Sequence, residues 1–183
     1  MQVMNAQEST TQRRSDRKII EMKKIIPISP TQEEAIRIAY EASQKTADSI
    51  LYKVDDPIVA ATLKRQSEKK YHQTLMTMLT EKQRNEYIRI TSTPEVMEKA
   101  EAKVEVLRES GNYNEAQLDS AKVEIFKYLM KEKIVYAREK YNFRNQKENI
   151  AQLKKTQPQY LKEANAQEKL KHRGVPHTGR YEW

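Results

Sequence analysis

Between Pro30 and Gln157 only Pro57, Pro94 and Gly111 interrupt the chain, and the other two glycines, Gly174 and Gly179, fall near its end. Glycine and proline are the residues that punctuate a backbone, so their scarcity leaves long uninterrupted segments. Sandwiches and doubly wound sheets need many tight turns and continuous buried strands. Here apolar residues make up 37% and charged residues 33% of the sequence, a balance that suits long solvent-bathed helices instead. The expectation is an all-α protein of about five helices.

Apolar spacing places those helices. Over 30–53 the set Ile36, Ala39, Tyr40, Ser43, Ala47, Ile50 and Leu51 recurs at intervals of three and four, one face of a helix. Asp55-Asp56-Pro57 stops it, and Asp56 is placed to cap a second helix from Pro57 to Met78. So short a connection predicts an antiparallel hairpin. Two short helices follow over 80–109, divided by Thr91-Ser92-Thr93-Pro94, and Gly111 closes the second. From Asn114 to about Gln157 the pattern predicts one helix, about 66 Å long at 1.5 Å per residue. Its half from Leu118 to Tyr141 carries a wide apolar face that should pack on the body, and the rest projects or seeks a partner. The organisation expected is therefore a disordered leader over 1–27, a helical domain over 28–157, and a basic extension and tail over 158–183.

Charge is unevenly placed. Residues 1–28 carry a net +3, residues 29–113 a net −1 and residues 114–183 a net +6, within a total of +8. Such ends steer acidic partners by long-range attraction. There is no cysteine, which removes disulfides, thiol nucleophiles and Cys-based zinc sites. No run approaches the roughly 20 apolar residues of a membrane-spanning helix. His72, His172 and His177 are scattered, and only Glu182 lies near the last two as a further ligand, so no metal site is expected. Three glycines cannot build a phosphate-binding loop. Acid pairs such as Glu33/Glu34 and Asp55/Asp56 sit at or near helix starts, where they complement the dipole. No catalytic residue and no cofactor is expected, and the chain reads as a non-enzyme. Residues 1–6, with Ala6 before Gln7, read like the trailing edge of a secretory signal, the alternative being an ordinary disordered leader.

Two stretches repeat one pattern of aliphatic, hydroxyl, two free positions and Gln: Ile28-Ser29-Pro30-Thr31-Gln32 and Leu79-Thr80-Glu81-Lys82-Gln83. Each is a capping box. The hydroxyl accepts from the N–H of the third helical residue, and the Gln amide reaches back to the N–H of the cap. Pro30 falls at the first helical position, where its missing N–H costs nothing. A pair of such boxes in a small, helical, cysteine-free chain resembles the LTxxQ-motif family of periplasmic proteins, the Spy/CpxP type. That resemblance covers residues 28 to about 140. It implies an exported, all-helical homodimer that binds unfolded or misfolded proteins without ATP, or senses envelope stress. The motif residues it carries over, Ile28, Ser29, Gln32, Leu79, Thr80 and Gln83, are capping and packing groups.

Ten tyrosines against two phenylalanines suit a surface that binds partners through an apolar ring with a polar tip. Met76, Met78, Tyr136 and Tyr141 are the candidate contacts for a polypeptide client. Two other readings stand beside this one. The first is a basic, cytoplasmic nucleic-acid or ribosome-associated protein using Arg13, Arg14, Arg17, Lys18 and the cations of the last helix. Against it, Glu124, Glu132, Glu139 and Glu148 break up the basic stripe. The second is a structural coiled-coil interaction protein.

Overall fold

The computed structural model describes residues 2–173, with side chains from Thr10 to Lys171. Every element among them is helical, and there are seven: α1 (Gln2–Lys23), α2 (Pro30–Lys53), α3 (Pro57–Met78), α4 (Glu81–Glu109), α5 (Glu115–Arg138), α6 (Phe143–Lys154) and α7 (Gln159–Arg173). The all-α class is as expected, and the count of about five is corrected to seven. The chain forms two compact units, Met1–Ile90 and Thr91–Trp183. None of the described helices is long and apolar enough to cross a membrane.

In the first unit α2 is central, with α1 packed on one side of it and α3 on the other. The leader expected to be disordered contains α1. Its buried stripe is Thr11, Ser15, Ile19 and Met22, continued by Ile26 in the turn that follows. Two of the first positions are hydroxyl residues, which hide the periodicity from a hydropathy reading. The fully buried Ser15 is satisfied: its hydroxyl oxygen lies 2.8 Å from both the Gln12 carbonyl and Glu41 Oε1, so its single O–H has an acceptor either way. Charge pairs line the same seam: Arg14 with Asp48 at 3.6 Å, Asp16 with Arg37, and Lys23 with Glu33. Partly exposed pairs of this kind add little energy each, but their order fixes α1 antiparallel to α2. The core they border is Ile19, Met22, Ile26, Ile36 and Leu79.

The α2–α3 hairpin is present, with Asp56 Oδ1 accepting from the N–H groups of Ile58 and Val59 at 2.7 and 3.2 Å. Its apolar face is far less buried than the spacing suggests. Only Ile36 is buried on α2 and no residue is buried on α3.

The two short helices expected over 80–109 are one, α4, which carries Pro94 in its interior. Proline has no N–H to give the carbonyl of Ile90, and the boundary between the units falls at that residue.

The long helix expected over 114–157 is not continuous. It breaks after Arg138 and again after Lys154, giving α5, α6 and α7. Asn142 caps α6 by accepting from the Asn145 N–H at 3.3 Å, and Pro158 closes the second turn before α7. The fold-back has a physical reason. A straight helix would leave Leu161 and Ala164 in water, whereas here both are buried against Ala100, Val104 and Leu107 of α4 and Leu118, Ala121 and Ile125 of α5. Removing large aliphatic side chains from water stabilises by roughly 1.5–3 kcal/mol each. Tyr113 and Tyr160 meet edge to face at 5.7 Å, and Lys103 pairs with Glu168 at 2.5 Å, fastening α7 in place. The tail from residue 174, including His177 and Glu182, lies outside the described residues, as does the side chain of His172.

Candidate functional site

The two capping boxes meet. Ser29 Oγ accepts from the Gln32 N–H at 3.2 Å while Gln32 Oε1 accepts from the Ser29 N–H at 2.9 Å. Thr80 and Gln83 repeat the arrangement at 3.2 and 2.8 Å. Each glutamine then has its amide NH2 left over, and both spend it on the opposite box. Gln32 Nε2 donates to Gln83 Oε1 at 3.0 Å, and Gln83 Nε2 donates to Gln32 Oε1 at 3.2 Å. Gln32 Nε2 also donates to the carbonyl of Met78 at 2.8 Å, and Gln83 Nε2 to that of Pro27 at 2.5 Å. In both directions the accepting carbonyl lies two residues before the opposite cap. The sequence repeat is thus a local two-fold arrangement in space, and every donor of both amides is used.

The aliphatic position of each box faces one core: Leu79 is buried in it and Ile28 packs against it. Arg84, one residue after the second box, donates to the carbonyl of Leu79 at 3.0 Å and to that of Met76. Carbonyls at the end of α3 are therefore satisfied by side chains from the motif region rather than by solvent.

This junction sets the base of the hairpin, and the apolar surface lies beyond it. A shallow groove of about 620 Å³ runs between α2 and α3. Small residues on α2, chiefly Ala35, Ala39, Ala42 and Ser43, hollow it out, and Leu63 and Tyr71 of α3 form part of the opposite wall. Ile38 and Leu63, both lining it, are 59% and 36% exposed. Toward the hairpin tip Leu51, Tyr52, Ile58 and Val59 are also exposed. Tyr71 meets Tyr40 edge to face at 5.4 Å. Its hydroxyl is buried without a hydrogen-bond partner among the described residues, and desolvation of the charged form pushes its pKa above the ordinary tyrosine range.

The four candidate client contacts fall into separate places. Met78, partly exposed, and Met76, half-buried, sit at the end of α3 beside the paired boxes. Tyr136 and Tyr141 belong to the second unit. Tyr136 is 43% exposed on α5. Tyr141 lies half-buried in the α5–α6 turn, with Lys140 Nζ 5.2 Å from its ring centre. The run from Tyr136 to Arg144, expected on one helix, is split by that turn, and Phe143 at the start of α6 is 61% exposed.

The hairpin groove was missed from the sequence, because the spacing that predicts a packed face is the same spacing that builds an exposed one. Among the described residues no three His, Cys, Asp or Glu side chains gather as they would around a metal ion. No protein-family model matches the chain, and neither does any curated protein or solved structure.

Proposed function

We propose that this protein is a non-enzymatic, extracytoplasmic binding protein of the Spy/CpxP kind, an ATP-independent chaperone or envelope-stress sensor whose ligands are unfolded polypeptides. The observation that carries this reading is the α2–α3 hairpin, which turns a groove with Ile38 and Leu63 to solvent while its base is fixed by the Gln32–Gln83 junction. Contiguous exposed apolar surface with polar neighbours is the hallmark of a surface that receives a partner. The groove is open and lined by small side chains, so it accepts varied segments through weak contacts rather than one shape. The basic excess, +8 overall, adds long-range attraction for acidic stretches of a client.

In this reading the protein is exported and works as a homodimer, in which two hairpins enlarge the apolar surface available to one client. Capture needs no nucleotide: the client binds while its own apolar groups are exposed and leaves as it buries them. The test is aggregation of a denatured model protein followed by light scattering. Suppression at near-stoichiometric ratios without ATP is the expected outcome, and no suppression at severalfold excess overturns the reading. Multi-angle scattering at tens of micromolar separately tests the dimer, and fractionation of cells making the native protein tests its export.

A further inference from the structure

The second unit carries a different kind of cleft, between the end of α5 and α6, with a volume of about 320 Å³. Its floor is apolar, with Ile150 and Ala151, and the Tyr136 ring stands at its side. Lys147 and Lys154 line it as well, one at each end of the α6 stretch, with Gln146 beside the first. Both lysines are exposed, and among the described residues neither has a carboxylate partner. The carboxylate next to Lys147 on α6, Glu148, is held by Arg144 at 3.1 Å and so does not neutralise the cleft. The hydroxyl of Tyr136 likewise has no hydrogen-bond partner among the described residues.

We propose that this cleft binds an extended acidic peptide segment in which two carboxylates, four residues apart, flank an apolar residue midway between them. The spacing argues for it. Lys147 and Lys154 are seven residues apart on one helix, about 10.5 Å along its axis. Positions i, i+2 and i+4 of an extended chain share one face and span about 13 Å, a difference that the long lysine side chains cover. The two carboxylates then meet the two ammonium groups while an intervening apolar side chain lies on Ile150 and Ala151 against Tyr136. The Tyr136 hydroxyl remains to bond the peptide backbone, as does the part of the Gln146 amide not taken by the Glu139 carbonyl, to which its Nε2 donates at 3.5 Å. A single-stranded nucleic acid fits the surface less well, because one ring, Tyr136, lines the cleft and its cations stand at two points rather than along a track. The inference rests on the polypeptide-binding reading for the class of ligand, yet it concerns a separate surface.

The experiment measures fluorescence anisotropy of labelled twelve-residue peptides on the full chain. One has Glu-Ser-Leu-Ser-Glu at its centre, a second Gln-Ser-Leu-Ser-Gln and a third Glu-Ser-Ser-Ser-Glu; an oligothymidylate is the fourth probe. The first peptide should bind best, and the variant Lys147→Gln/Lys154→Gln should weaken it about tenfold, as expected for two partly solvated ion pairs. Tyr136→Ala should weaken the two leucine-containing peptides, whereas Leu63→Ser in the first unit should leave the acidic peptide unaffected. Circular dichroism and melting of each variant establish that it is folded. Equal binding of the first two peptides, unchanged binding by the lysine variant, or tighter lysine-dependent binding of the oligothymidylate would each overturn the proposal. Aggregation suppression is read separately, so a failed chaperone assay alongside selective peptide binding would sink the hairpin reading and leave this one standing.

Discussion

Gln32 and Gln83, 51 residues apart, hold each other by two amide hydrogen bonds of 3.0 and 3.2 Å while each also closes its own helix cap. Glutamate serves as well as glutamine in an isolated capping box, and its charge suits a helix N-terminus. This junction needs the NH2. In Gln32→Glu the local cap survives, but Met78 O loses the Gln32 donor, Gln83 Oε1 keeps only the Thr80 N–H, and both face a carboxylate. The variant should lose about 1–3 kcal/mol, the cost of stranding such groups. Urea unfolding checks this, and a double-mutant cycle with Gln83→Glu should return a coupling of about 1 kcal/mol or more. A Gln32→Glu protein as stable as the parent would mean that the boxes act only as separate caps.

Tyr71→Phe should be neutral or stabilising. The hydroxyl it removes is buried with no hydrogen-bond partner among the described residues, so its loss relieves an uncompensated desolvation and leaves the contact with Tyr40 intact. Thermal melting decides it: a clear fall in Tm would reveal a partner for this hydroxyl.

Pro94→Ala should raise stability by about 1 kcal/mol or more, because proline inside a helix costs up to about 3 kcal/mol and alanine restores an N–H for the carbonyl of Ile90. A lower Tm in this variant would show that the packing around α4 depends on the bend proline imposes.

Acid should destabilise the fold through particular carboxylates. Glu95 accepts hydrogen bonds from Lys133 and Lys99, which hold its pKa at about 2 against an ordinary 4.5. Glu33 is lowered in the same sense, first by Lys23 and then by Arg37. A carboxylate with a depressed folded-state pKa contributes its full stabilisation above the unfolded value and loses it as pH falls through the folded one. For Glu95 the window is therefore pH 4.5 down to about 2. Tm measured across that range should fall, and Glu95→Gln should fall less steeply than the parent. Superimposable profiles would remove Glu95 from the account.

Much of this fold is legible in the sequence, and particular residues show where legibility ends. Ser29, Gln32 and Asp56 announce their helices because capping is local chemistry. Nothing in either box reveals that Gln32 and Gln83 bond one another, since that contact depends on how α2 and α4 start side by side. The leader hid α1 because its buried face opens with Thr11 and Ser15, and one of the two acceptors beside the Ser15 hydroxyl, Glu41, comes from another helix. The long C-terminal helix looked continuous because no proline or glycine marks the α5–α6 turn; Asn142 was its one local sign. Spacing also could not separate Ile36, which is buried, from Ile38, which is open to solvent on the same helix.

The most direct test of the central claim compares the parent with Ile38→Ser/Leu63→Ser in suppression of client aggregation. Both side chains line the groove and are at least one-third exposed, so their removal should leave helicity and Tm close to the parent's. The account predicts that the folded double variant needs severalfold more protein to give the same suppression, with no effect of ATP on either protein. Full suppression by the folded double variant at the parent's ratio would contradict it, because the hairpin groove would then not be where polypeptides bind.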